Sequence, residues 1–340
     1  METNEEKIQL AKTLQLVYKD INPDMISKRV DSYFGMDSKV AFKQVVLDLY
    51  KIYGKSPDVF YEKIKELDKI TIKGTTVQSS QLEEKFKEWI GVNQTNKMTI
   101  EDNHKKISRI LPWLLSELEK YQIDYFLVGA LPCYLRTNQK SIRYHDDIDL
   151  LLNEKDIPRI KEILENSDFV FEDNRENSQK TMSEKGMPSG PHEIMANDKN
   201  SEFHLGFFPF ERGLNGEVIQ KEYYKDENGK PKVFKRVPSI EKSNLSYPNE
   251  TYYLPSGEPF KMCSLESIYS IKKFTETIPG REKDAIDVAM MESSGLLNKE
   301  VIQALKKLES STQIVIEDFE PLMLKEMDDE MVLVRKIKKW

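Results

Sequence analysis

Residues 124–152 read DYFLVGALPCYLRTNQKSIRYHDDIDLLL, and this stretch decides the architecture. The run Asp124-Tyr125-Phe126-Leu127-Val128 is short, apolar and closed by Gly129, the pattern of a buried strand. Residues 130–138 follow as a helix, and Asp147-Ile148-Asp149-Leu150-Leu151-Leu152 gives a second strand. Residues 156–167 read as another helix, with Pro158 in its first turn, where proline is tolerated. Strand, helix, strand, helix is an α/β unit. Along a strand, residues i and i+2 face the same way, about 6.6 Å apart. Asp147 and Asp149 therefore share a face, while Ile148, Leu150 and Leu152 point into the core. Two carboxylates on a buried strand repel each other unless a cation lies between them, and hard divalent ions such as Mg²⁺ take oxygen ligands of this kind.

Working outward, residues 100–121 form an amphipathic helix with Ile107, Leu111, Leu114 and Leu118 on one face and Glu101-Asp102 in the first turn. Residues 5–90 carry apolar side chains at three-to-four spacing and predict four or five helices, with a loop or short hairpin at 70–80. A polar break at 91–96 closes this region. On the other side, 169–172 and 203–208 read as strands, separated by the polar stretch 173–199, a loop or lid containing His192. Further strands at 218–224 and 233–237 flank Asn228-Gly229, a hairpin signal. From Leu265 to Lys307 the helical period returns, broken at Pro279-Gly280, and Ile314-Val315-Ile316 is strand-like. The expected organisation is an α-helical domain at 1–96, an α/β domain at 97–262 and a helical region at 263–340.

The 340 residues are 39% apolar and 32% charged, enough core material for a folded chain. Lys and Arg number 51 against 58 Asp and Glu, a formal charge of −7, which argues against a global polyanion-binding surface and leaves room for a local basic groove. The acidity belongs to residues 101–340 and suits metal ions or a cationic substrate. Cys133 and Cys263 are too few for a disulfide scaffold or a cysteine zinc site. No apolar signal core opens the chain and no run of about 18 apolar residues occurs. The expectation is a cytoplasmic protein with no membrane partner.

The heptad Arg143-Tyr144-His145-Asp146-Asp147-Ile148-Asp149, behind a strand that ends at Gly129, resembles the nucleotidyltransferases of the DNA polymerase beta superfamily. The resemblance is strongest to the antibiotic nucleotidyltransferases for aminoglycosides and lincosamides and to the abortive-infection toxin nucleotidyltransferases. It implies an α/β (α+β) fold with a mixed sheet and flanking helices, and transfer of a nucleoside monophosphate from an NTP, with ATP as donor, to a hydroxyl. Mg²⁺ or Mn²⁺ would be held by Asp147, Asp149 and a third acid, for which Glu202 in Glu202-Phe203-His204 occupies the comparable place. Glu202 would alternatively take the proton of the attacking hydroxyl. The resemblance assigns nucleotide contacts to Gly129, Ala130, Arg143, His145, Lys272 (or its neighbour Lys273) and Lys283. Asp284 and Asp287, three apart at a helix start, either order the substrate and lysines or form a solvated first turn, and His204 is a substrate contact or a scaffold residue. Two positions depart from the family pattern: Ala130 stands where a second Gly or Ser is usual, and Glu202 where Asp is. A small-molecule acceptor is expected, because tRNA-binding surfaces need positive patches. A toxin-type enzyme acting on tRNA or protein, and a silent nucleotide-binding module, are the other readings.

Overall fold

The computed structural model describes residues 2–54, 56–91, 98–137, 141, 143–183, 187–190, 192–276, 281–319, 324–327 and 330–333. The polar break beyond Gly91, the Pro279-Gly280 interruption and the basic end from Arg335 lie outside them. The described helices are α1 (Glu2–Val17), α2 (Pro23–Gly35), α3 (Ser38–Tyr53), α4 (Pro57–Glu66), α5 (Ser79–Trp89), α6 (Ile100–Lys120), α7 (Leu131–Thr137), α8 (Ile157–Glu165), α9 (Ile240–Ser246), α10 (Leu265–Thr275), α11 (Glu282–Ser294) and α12 (Lys299–Lys307). The strands are β1 (Lys69–Ile72), β2 (Thr75–Gln78), β3 (Tyr125–Val128), β4 (Asp147–Asn153), β5 (Phe169–Asp173), β6 (Thr181–Met182), β7 (Pro188–Ser189), β8 (Ile194–Asp198), β9 (His204–Arg212), β10 (Val218–Lys225), β11 (Pro231–Val237), β12 (Tyr252–Tyr253), β13 (Pro259–Phe260), β14 (Gln313–Asp318), β15 (Leu324–Met327) and β16 (Glu330–Leu333).

Packing, more than sequence order, groups these elements. One compact unit comprises Met1–Glu117, Leu127–Ile148 and Leu245–Lys306, and a second comprises Leu118–Phe126, Asp149–Asn244 and Lys307–Trp340. In the first unit, α2 starts where Asn22 accepts from the Asp24 amide and Pro23 occupies the first turn, a position that needs no N–H. Asp37 caps α3 in the same way. The buried residues Val45, Val46 and Leu49 of α3 sit at helical spacing, and α3 packs on α11, so the amino-terminal helices share a core with the carboxy-terminal ones. Asp48, buried in α3, accepts from Arg29, from the Tyr33 hydroxyl at 2.6 Å and from Gln44 at 2.9 Å, which satisfies a charge that would otherwise be costly there.

The second unit is built on the sheet, whose strands run in the order β14-β11-β10-β9-β4-β3, with β8 also on β9 and β5 on β8. It is mixed: β8, β9, β10, β11 and β14 pair antiparallel with their neighbours, while β6 lies parallel to β10. The stretch 173–199, expected as a loop or lid, instead contributes β8, because Ile194 and Ala196 alternate into the core, with Met195 and Asn197 less buried, and pair with Phe207 and Leu205 of β9. Asp124 ties the entry to β3 onto β9 through a two-pronged pair with Arg212, both contacts at 2.8 Å. Charges also line one stretch of the sheet in alternation: Lys221 meets Glu211 at 2.7 Å, and Lys235 meets Glu211 at 3.1 Å and Glu317 at 2.8 Å. No described helix is long and apolar enough to cross a membrane.

Candidate active site

The chain leaves β3 through Gly129, whose φ of 75° lies in the left-handed region that glycine enters without a Cβ penalty. A parallel bridge between Leu127 and Met262 fixes this end of β3, with the Leu127 amide on the Lys261 carbonyl at 2.8 Å and the Cys263 amide on the Leu127 carbonyl at 3.1 Å. Helix α7 then buries Leu131, Cys133 and Tyr134, and the chain returns through Arg143–Asp146 into β4.

That return is clamped from three directions. Asn103 of α6, fully buried, donates to the His145 carbonyl at 2.8 Å and accepts from the His145 amide at 3.0 Å. Its neighbour His104 donates from Nε2 to the Arg143 carbonyl at 2.9 Å. The Tyr144 amide donates to the Ile90 carbonyl at the end of α5, at 2.8 Å. The Arg143 side chain goes the other way, into the core, where Nε and Nη2 meet Asp287 of α11 at 2.9 and 3.0 Å. Asp287 also accepts from the Tyr134 hydroxyl at 2.8 Å and from Lys272 Nζ at 2.8 Å, so its four acceptor positions are all used. Lys272 reaches Asp284 as well, at 2.8 Å, and Asp284 takes Thr275 and Arg281 on its other oxygen, both at 2.7 Å.

Electrostatics follow from this packing. Burial by itself would raise the Asp287 carboxyl, but Arg143 and then Lys272 outweigh it and hold the group well below the usual carboxylate range. Asp284 is lowered too, with burial opposed by Lys272 and the hydrogen bonds around it. His145 is pushed well below the ordinary histidine range, by burial first and by Arg143 second, and stays neutral. Its Nε2 lies 2.8 Å from the Ser141 hydroxyl.

The sequence-predicted residues are thus distributed unevenly. Asp147 and Asp149 stand on one face of β4, each half-buried, with Ile148 and Leu150 buried between and beyond them. Arg143, Lys272, Asp284 and Asp287 come together, but as one internal ion cluster: Lys272 is 7% exposed and Arg143 4%, and both are committed to carboxylates. Lys283 remains half-exposed, 3.7 Å from Asp146. Lys273 is exposed and meets Glu276 at 2.7 Å. Glu202 is not brought to the pair. It lies exposed in the bend before β9, while the β9 residue facing Asp149 is Gly206, where an added Cβ would sit 2.5 Å from Asp149 Oδ1. Glu202 precedes Gly206 by four residues and stands two residues before β9 begins at His204. His204 opens β9, and its ring centre is 6.2 Å from that of His192, which stacks edge-on against Phe208 at 4.7 Å.

Among the described residues no group of three or more His, Cys, Asp or Glu is arranged to hold a metal ion. Two carboxylates at strand spacing nevertheless match the way Mg²⁺ is usually held, by one or two protein carboxylates with substrate phosphates and water completing the shell. Asn103 and Gly206 are the positional residues that the sequence reading missed. Asn103 falls on the apolar face of α6, four residues before Ile107, and a polar residue at a core position signals a specific partner. Gly206 is a lone small residue in a strand of large ones, the mark of a close approach.

Comparison with known proteins gives solved nucleotidyltransferase structures. The chain is similar to the antibiotic-resistance factor ANT(2'')-Ia in complex with adenylyl-2''-tobramycin, at 15% identity and a TM-score of 0.39, over 60% of this chain and 95% of that one. It is similar to the lincosamide antibiotic adenylyltransferase LnuA, lincomycin-bound, at 15% identity and a TM-score of 0.37, over 55% and 96%. An antigenic nucleotidyltransferase-like protein from Paracoccidioides brasiliensis matches at 16% identity and a TM-score of 0.32, over 61% and 88%. No protein-family model matches the chain, and no curated protein does.

Proposed function

We propose that the protein is a metal-dependent nucleotidyltransferase that moves a nucleoside monophosphate from an NTP to a hydroxyl of a small-molecule acceptor. The observation that carries this reading is the Asp147 and Asp149 pair on one face of β4, directly after a loop clamped by Asn103, His104 and Asp287. Rigid presentation of two carboxylates is what an in-line displacement requires, since small misplacements of the reacting centre are costly. Asp147 and Asp149 would hold Mg²⁺ or Mn²⁺ together with the triphosphate. The chemistry such an ion supplies when bound is neutralisation of charge on the attacking and leaving oxygens. The acceptor oxygen forms a bond to the α-phosphorus, the bond to pyrophosphate breaks, and the hydroxyl proton passes to a carboxylate oxygen of the pair. Lys283 and the Gly129-Ala130 turn are the contacts left for phosphate, because Arg143 and Lys272 are engaged internally. The net charge of −7 favours a small acceptor over a nucleic acid.

The test is calorimetric titration of ATP, GTP, CTP and UTP with Mg²⁺ into the wild type and the Asp147→Ala, Asp149→Ala double variant. Metal-dependent binding of one triphosphate, lost in the variant, is expected. Binding that ignores both carboxylates, or no binding, overturns the reading in favour of a silent module.

A further inference from the structure

The face of β9 that meets Asp149 holds a space bordered by two different donor atoms. Along β9, His204, Gly206 and Phe208 share one face, while Leu205 and Phe207 are buried on the other. The point that a Cβ on Gly206 would occupy lies 2.5 Å from Asp149 Oδ1 and 3.7 Å from His192 Nε2. A carboxylate oxygen and an imidazole nitrogen thus adjoin one small space over bare backbone. Asp149, His192 and Gly206 all belong to the second unit. Glu202, the acid expected to complete a metal site, lies exposed before β9, and the donor that the fold brings beside Asp149 is His192.

Packing fixes both the ring and the backbone of His192. The ring lies edge-on to Phe208, with centres 4.7 Å apart and planes at 80°, which sets the direction of Nε2. The next residue, Glu193, is 3% exposed, and its carboxylate accepts from the Tyr223 amide at 3.0 Å and meets Lys180 Nζ at 3.0 Å. The Glu193 carbonyl accepts from the Asn174 amide at 2.7 Å. Two residues further on, Met195 of β8 pairs with Gly206 itself. A donor locked by its neighbours in this way is what a metal ligand needs, since a loosely held one binds weakly.

The chemistry of the two donors selects the ion. Mg²⁺ is hard and takes oxygen, whereas an imidazole nitrogen suits first-row transition ions. Asp149 and His192 are two protein donors, which leaves the remaining positions to triphosphate oxygens and water. Glycine at 206 is what provides the room, because any larger residue would put its Cβ into the space. We propose that His192 Nε2 is a ligand to the ion on the Asp149 side of the carboxylate pair, and that this nitrogen makes the site take Mn²⁺ ahead of Mg²⁺. The inference rests on the nucleotidyltransferase reading for the presence of an ion, and it adds the residue that stands in for the missing acid and the ion that follows from it.

Mn²⁺ is titrated, alone and with each of ATP, GTP, CTP and UTP, into wild type, His192→Ala and Gly206→Ala, each checked for folding by circular dichroism. The electron paramagnetic resonance signal of free Mn²⁺ reads the bound fraction, and added Mg²⁺ competes for the site. Pulsed spectra of protein carrying ¹⁵N-histidine separate imidazole nitrogen from the nitrogens of a nucleotide base. The expected result is ¹⁵N coupling to bound Mn²⁺ in wild type and none in His192→Ala, with Mn²⁺ affinity and its margin over Mg²⁺ each lower by at least about tenfold. Gly206→Ala, which fills the space, should lose Mn²⁺ as well. The wild-type spectrum decides by itself whether a histidine is a ligand, so the test survives a variant that fails to fold. Bound Mn²⁺ without histidine coupling, coupling that persists in His192→Ala, or Gly206→Ala binding Mn²⁺ as wild type does, overturns the assignment and leaves the transferase reading standing. Coupling through His192 with no triphosphate bound keeps the metal ligand and removes the transferase reading. No Mn²⁺ binding under any of these conditions overturns both.

Discussion

Replacing Asp287 by Asn tests whether the ion cluster is what holds the Arg143–Asp146 loop in place. The substitution keeps the side-chain shape but removes one of the two carboxylates that balance Arg143 and Lys272. It also turns an amide donor towards Arg143 or Lys272, which only donate. Breaking a buried pair by removing one partner costs about 3–5 kcal/mol. Here the lower end applies, because Lys272 keeps Asp284 at 2.8 Å and Arg143 keeps the Tyr144 carbonyl at 2.9 Å. With urea slopes of about 1–3 kcal/mol per molar, a loss of about 3 kcal/mol lowers the unfolding midpoint by roughly 1–3 M. Equilibrium urea unfolding followed by circular dichroism reads this directly. Arg143→Met, Asp287→Leu and the double variant carrying both form a cycle, and the apolar double variant should recover a large part of the loss, since it leaves no bare charge behind. A midpoint shift under about 0.3 M for Asp287→Asn, or single effects that add to within about 0.5 kcal/mol, would refute the idea that these charges act as a unit.

Gly206→Ala places a Cβ 2.5 Å from Asp149 Oδ1, so the carboxylate must move; Mg²⁺-dependent nucleotidyl transfer is expected to fall at least about tenfold for a stability cost of about 1–3 kcal/mol, read by steady-state kinetics and thermal melting. His145 has a folded-state pKa below its unfolded value of about 6.5, so acid protonates the unfolded chain first. Its share of stability is lost as pH falls below about 6.5, by up to about 1.4 kcal/mol per pH unit, and His145→Gln should flatten that slope in urea titrations at stepped pH. Asp284 and Asp287, both lowered, contribute stability that is present above about pH 4 and fades as pH falls further, so Asp287→Asn should remove the steepest part of the acid limb. Lys51→Met breaks the half-exposed pair with Glu292 that links α3 to α11 and should cost less than about 1 kcal/mol in the same assay.

The strand, turn, helix and strand from Tyr125 to Asn153 were legible because each has its own local signal: an apolar run, a glycine at positive φ, a buried helical face, and alternation around two carboxylates. The helical period of residues 5–90 and the hairpin at 70–80 were readable for the same reason. What could not be read was register and depth. Glu202 was assigned through the likeness of Glu202-Phe203-His204 to the family's Asp-hydrophobic-His, whereas the residue that lies opposite Asp149, Gly206, depends on how β9 slides against β4, which neither strand encodes alone. Lys272 was assigned to phosphate by the resemblance, which places a lysine on a helix after the catalytic strands. Its burial is decided by Asp284 and Asp287 on the next helix and by Arg143 on a distant loop, and no spacing rule reaches that far. The strand β8 was hidden by Asn197 and Asp198, which diluted its alternation.

The first unit is stitched from three separate lengths of chain, and that has a consequence for its birth. Arg143 precedes its partner Asp287 by 144 residues. At about 5–20 residues per second of synthesis, the guanidinium waits roughly 7–30 s before its counter-charge exists. Through that interval the face of α3 that will pack on α11 has no cover, and the loop leading to Asp147 lacks one of its three clamps. The nascent chain therefore passes through a long window in which it needs shielding from aggregation, and the two carboxylates become rigidly presented only after the penultimate helices have been made.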